Sequence, residues 1–144
     1  QKDSLRIGRN KMKDLDFQKL MNQAHWAGMK AGKALKPTPM VVQEHANVLD
    51  DSSPVVQSWT VNSGVCGFAW VLTNEHGNSK FVKFLKAESG KGVLDGSKAY
   101  YGGYYVTWVR EFGQSMEQKE AYADAFADVL LEAGLSVYSG SRMD

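Results

Sequence analysis

The residues with the most chemistry to offer are Tyr100, Tyr101, Tyr104, Tyr105 and Trp108, flanked by Lys98 and Arg110. Aromatic rings beside cations can stack on nucleic-acid bases while the cations neutralise phosphates. The same rings can anchor a protein interface. A purely structural role would have alternate members fill the core while the tyrosine hydroxyls reach water. All seven are taken as candidate binding residues.

Cys66 is the only thiol in the 144-residue chain, so no intramolecular disulfide can form and a reducing compartment is expected. A catalytic thiolate needs an imidazole within reach, and His25, His45 and His76 stand in no recognisable pattern around it. Cys66-Gly67-Phe68 has a superficial likeness to papain-type peptidases, whose cysteine opens a helix. Here the triplet lies in a strand-like run, Gly64 to Thr73, and a buried structural cysteine is expected. Glu44-His45 forms a local pair of metal donors, but the three histidines stand far apart. Tyr101-Gly102-Gly103-Tyr104 lacks the spacing of a nucleotide fingerprint. Neither a metal nor a cofactor is expected.

The net charge is only +1, but its sign alternates along the chain. Residues 1–36 carry nine Lys/Arg against three Asp/Glu, residues 37–78 none against four, residues 79–113 six against three, and residues 114–144 two against six. Residues 1–13 therefore read as a basic arm (Lys2, Arg6, Arg9, Lys11 and Lys13 against Asp3), and residues 14–144 as a single domain. Such an arm could meet nucleic acid or an acidic partner, although the chain as a whole is not basic enough for a dedicated nucleic-acid binder. The longest apolar stretch, Gly64 to Leu72, is far too short to span a bilayer, and no apolar signal-peptide core opens the chain. No membrane partner and no export by a cleavable signal are expected.

The elements that must position these residues follow from periodicity. Phe17, Leu20, Met21, Ala24, Ala27, Ala31 and Leu35 recur at helical steps after a cap at Asp14 or Asp16, and Pro37 and Pro39 stop the helix. Gly28 and Gly32 weaken that helix, which predicts a neighbouring backbone packed closely there. Met40–Ala46 reads as a strand. Val55–Val61 and Val65–Thr73, joined by Asn62-Ser63-Gly64, predict an antiparallel hairpin with the second strand covered on both faces. Asn78 or Ser79 caps a short helix that buries Phe81, Phe84 and Leu85 and turns Lys80, Lys83 and Lys86 outward. After a Gly-rich loop, 89–103, a strand from Tyr104 to Phe112 should place Tyr104, Val106, Trp108 and Arg110 on one side and Tyr105, Thr107, Val109 and Glu111 on the other.

Ser115, with Gln118 three residues on, signals a capping box, and an amphipathic helix runs to Ala133 before Gly134. Its Glu117, Glu120, Asp124, Asp128 and Glu132 predict an acidic outer face, a candidate partner for the basic arm. Leu135–Ser139 completes the set as a short strand. The fold class is α+β: a small, mainly antiparallel sheet of about four to five strands packed by two longer helices and one short one.

Gly64-Val-Cys-Gly-Phe-Ala-Trp-Val71, Asn78-Ser-Lys-Phe81, Tyr101-Gly-Gly103, Gln114-Ser115 and Tyr138-Ser-Gly-Ser-Arg-Met-Asp144 together resemble a family of small uncharacterised proteins encoded by tailed bacteriophages and prophages, with no known activity. The likeness covers roughly residues 20–144. It implies a phage origin, hence the host cytoplasm or the virion as location, and it names no catalytic residue. The leading expectation is a phage accessory or virion-associated protein acting through contacts with a protein partner or as a homo-oligomer. Nucleic-acid binding through the arm and the Tyr100–Trp108 region is the alternative, and a Cys66-dependent hydrolase the third.

Overall fold

The computed structural model describes residues 14–46, 49, 52–61 and 64–144, so the basic arm at 1–13 and the turn residues Asn62 and Ser63 lie outside the described residues. Helix α1 spans Asp14–Ala34, strand β1 Met40–His45, β2 Val55–Val61, β3 Gly67–Thr73, helix α2 Lys80–Ala87, β4 Tyr104–Trp108, helix α3 Met116–Glu132 and β5 Val137–Met143. The expected α+β class holds, with the five strands divided into a two-stranded sheet, β1-β2, and a three-stranded sheet, β4-β3-β5.

Phe17, Leu20, Met21 and Ala24 bury the inner stripe of α1, and the helix ends before Pro37 as expected. The described helix begins at Asp14, which places Asp16 inside its first turn, and the flanking cap position lies outside the described residues. The glycines of α1 do mark a close approach, but by rings and not by a backbone. A methyl group on Gly28 would lie 2.6 Å from the Tyr122 ring, and one on Gly32 would meet Phe112. Phe112 reaches that spot from a left-handed backbone, φ 69°, which a non-glycine residue adopts only under constraint. Phe17 then packs on Phe81 and Phe84 of α2 at ring separations of 5.4 and 5.3 Å. Ser79 caps α2 by accepting from Val82 N, and Lys80, Lys83 and Lys86 face solvent.

Ser115 caps α3 by accepting from Gln118 N at 3.3 Å. The reciprocal half of the capping box is not made, because the Ser115 amide donates to the Phe112 carbonyl, and Gln118 Nε2 donates across to the Gly32 carbonyl of α1. Tyr122, Ala123, Phe126, Ala127 and Leu130 are buried where α3 meets α1, β3 and β5. Gly134, φ 90°, then turns the chain into β5.

The predicted hairpin between Val55–Val61 and Val65–Thr73 does not form. β2 pairs with β1, while the residues after Gly64 give their backbone groups to the start of α3: Met116 N donates to Val65 O, and Gly67 N to Gln114 O. β3 is nonetheless central, antiparallel to both neighbours, and β5 pairs along its whole length from Gly67↔Met143 to Thr73↔Val137. β5 is therefore longer and later than expected. Only one face of β3 is fully covered: Gly67, Ala69, Val71 and Thr73 are buried against the helices, while Phe68 and Trp70 are half-exposed on the other side.

Candidate binding face on the three-stranded sheet

Register determines what the outer side of this sheet carries. Opposite the outward residues Phe68, Trp70 and Leu72 of β3 stand Arg142, Gly140 and Tyr138 of β5. The alternate residues of β5 turn inward, where Ser139 donates to Asp124 at 2.5 Å and Ser141 to Glu120 at 2.8 Å. These two carboxylates of α3, expected on a free acidic face, are instead engaged by β5. Glu117 is likewise engaged, accepting from Thr38 N at 2.9 Å and from Thr38 Oγ1 at 3.2 Å.

On β4 the pairing is Trp70↔Trp108, Val71↔Thr107, Leu72↔Tyr105 and Thr73↔Tyr104. One residue, Val106, is extra, and a β-bulge re-aims everything beyond it. Val106 and Thr107 both turn into the core, so Tyr105 and Trp108 emerge on the same outer side. This overturns the simple alternation expected of the strand. It groups Tyr105 with Trp108 and sends Tyr104 away, where the Lys86 ammonium sits 4.8 Å from its ring.

The result is a ring cluster centred on Trp108. Trp70 lies 4.9 Å away at an interplanar angle of 44°, Tyr105 5.2 Å at 46°, and Phe68 6.4 Å at 74°. Trp70 can lie across β5 only because residue 140 is glycine; a methyl group there would meet the indole nitrogen. Tyr100 and Tyr101 rise from the preceding loop, 91% and 97% exposed, and the rings bound a groove of about 540 Å³ that Tyr138 and Arg142 close on the far side. The Arg142 guanidinium also lies 5.4 Å from the Phe68 ring.

Of the seven candidate residues, Tyr100, Tyr101, Tyr105 and Trp108 line this groove, whereas Lys98, Tyr104 and Arg110 do not. Lys98 bridges to the Tyr104 backbone, and the Arg110 amide donates to the Glu111 carboxylate. The residues missed in sequence, Phe68, Trp70, Tyr138 and Arg142, all lie on β3 or β5. The even spacing of Phe68 and Trp70 was the available signal, but it was read as a covered face.

The other chemical candidates are occupied locally. Cys66 is half-buried, its carbonyl accepting from Asp144 N and its backbone bridging to Ser115. The Nδ1 atoms of His25, His45 and His76 meet Tyr122 Oη, the Ser53 carbonyl and Asn78 N respectively. Among the described residues no cluster of three or more His, Cys, Asp or Glu is placed to hold a metal ion, and no helix is long and apolar enough to cross a membrane. A second cleft, about 440 Å³, opens between α1 and the loop after α2, but its charges meet each other: Lys91 pairs with Glu88 at 3.1 Å. Comparison with known proteins finds no matching family model, no matching curated protein and no matching solved structure.

Proposed function

We propose that this chain is a binding protein that works through protein contacts, holding an extended peptide segment of a partner in the aromatic groove. The observation that carries the reading is the outward grid of Tyr105, Trp108, Trp70, Phe68 and Tyr138 across three paired strands. The rings are tilted to one another, which leaves notches between them where apolar or proline side chains fit better than on a flat platform. Arg142 at the rim favours a segment that brings a carboxylate. What supports a phage accessory or virion-associated setting is the residue-level resemblance set out above.

Single-stranded nucleic acid is the second reading, favoured by the exposed Tyr100 and Tyr101 rings across the groove from Arg142. It is the weaker one, because Lys98 and Arg110 stand away from the groove and, among the described residues, Arg142 is the one cation lining it.

A peptide-display selection against the native protein tests the proposal, repeated on Trp108→Ala. Enrichment of apolar or proline-containing segments with an acidic residue, lost on the variant, is expected. Peptides that bind both proteins equally, or no enrichment at all, would overturn it. Binding of a thymidine oligomer that weakens steeply with salt would favour the second reading instead.

A further inference from the structure

The β1–β2 hairpin stands apart from the core. It is rooted at its base, where the Glu117 carboxylate of α3 holds Thr38, and beyond that point its strands pair with each other and, among the described residues, make no extended contact with another element. Every residue from Val55 to Thr60 is exposed, Val56 by 62% and Trp59 by 45%. Cross-strand pairing gathers Met40, Val42, Trp59 and Val61 on one face. A two-stranded ribbon alone is marginal in water, and it becomes stable when a third strand or a packed layer completes it.

Its free edge is also unguarded. Proteins protect an exposed strand edge with lysines, prolines, bulges or a covering segment. β4 shows such cover: Asp95 N donates to Val106 O, Gly96 N to Tyr105 O, and Tyr105 N to Ser97 O. β2 carries no charged residue and no proline, and its bulge lies at the end near His45, leaving Gln57–Val61 regular. Among the described residues nothing pairs with its outer edge.

We propose that this hairpin is a dimerisation arm, the outer edge of β2 pairing antiparallel with the same edge of a second copy to give the strand order β1-β2-β2-β1. A second copy suits the edge because the contact is self-complementary about a two-fold axis. Centred near Ser58, it sets Ser58 opposite its own copy and Gln57 opposite Trp59, while Thr60 and Val61 face the bulged end of the partner strand, so no charges meet. The one charged residue of the paired strands, Glu44, lies on β1, away from the seam. The same symmetry joins the two Val42, Trp59 and Val61 patches into one apolar stripe. This dimer is independent of the aromatic groove.

Sedimentation equilibrium of the intact protein at micromolar concentration tests it. A mass twice that of the chain is expected, falling to the single-chain mass in the double variant Ser58→Lys, Thr60→Lys, with the main thermal transition kept. A single-chain mass for the unsubstituted protein, or a double mass retained by the variant, overturns the proposal. Should the lysines unfold the arm, Ser58→Cys in a Cys66→Ser background supplies the second measurement. Mild oxidation is expected to give an intermolecular disulfide across the two-fold, and its absence counts against the arm.

Discussion

Gly140 and Trp70 show how one missing side chain shapes the binding face. Gly140→Ala places a methyl group against the Trp70 indole nitrogen. Overpacking of that kind costs about 1–3 kcal/mol, read as a lower denaturation midpoint, and here it also displaces the Trp70 indole N–H resonance. Tyr122 makes a different prediction. Burial, helped by the nearby Glu111 charge, pushes its hydroxyl well above the ordinary tyrosine value near 10, so it keeps its proton, and its oxygen lies 2.6 Å from His25 Nδ1. The folded state resists an ionisation that the unfolded chain undergoes. Stability from this group is therefore complete below about pH 10 and is lost above it, by about 1.4 kcal/mol per pH unit. Denaturant unfolding at rising alkaline pH should show that slope in the native chain and lose most of it in Tyr122→Phe. At this scale composition located half of the groove. Tyr100, Tyr101, Tyr105 and Trp108 were recognisable as a cluster, but residue type alone could not separate Tyr104, which faces α2, from its neighbour.

For the elements, the bulge at Val106 decides which of the two shares a side with Trp108, namely Tyr105. Deleting Val106 restores strict alternation in β4: Leu72↔Tyr105 and Val71↔Thr107 then follow one another without a bulge, so Tyr105 and Trp108 keep the outer side while the core loses the Val106 side chain. The expected outcome is a loss of about 2–5 kcal/mol from the emptied core site, measured by chemical unfolding, with the ring contacts between Tyr105 and Trp108 kept. Helices were legible because each carries its own period and cap: Ser79 and Ser115 cap as expected, and the apolar stripes are buried. Strand partners were not. Val55–Val61 and Val65–Thr73 both have strand composition and a turn between them, yet pairing depends on who else needs those backbone groups. Here Gln114 and Met116 take them. A bulge is equally silent in sequence, since it reflects a register set by β3.

Taken as one molecule, the protein divides into a core built on β3, α1 and α3 and a ribbon rooted at Thr38. Hydrogen exchange should reveal two tiers, with β3 amides the slowest because both edges are paired and one face is buried, and β1–β2 amides faster by orders of magnitude at protein concentrations low enough to dissociate any dimer. Equal protection in both regions would contradict this division. The α+β class was legible from the order of periodic segments, whereas the split into two sheets depends on long-range pairing that no local window contains. The packing of Trp70 on Trp108 has an optical consequence. Two indoles 4.9 Å apart and inclined at 44° have transition dipoles close enough to mix and skewed enough to rotate light. The outer sheet thus carries its own chromophore pair, an ultraviolet circular-dichroism couplet that rises when the face assembles and changes sign or amplitude when an occupant pries the rings apart.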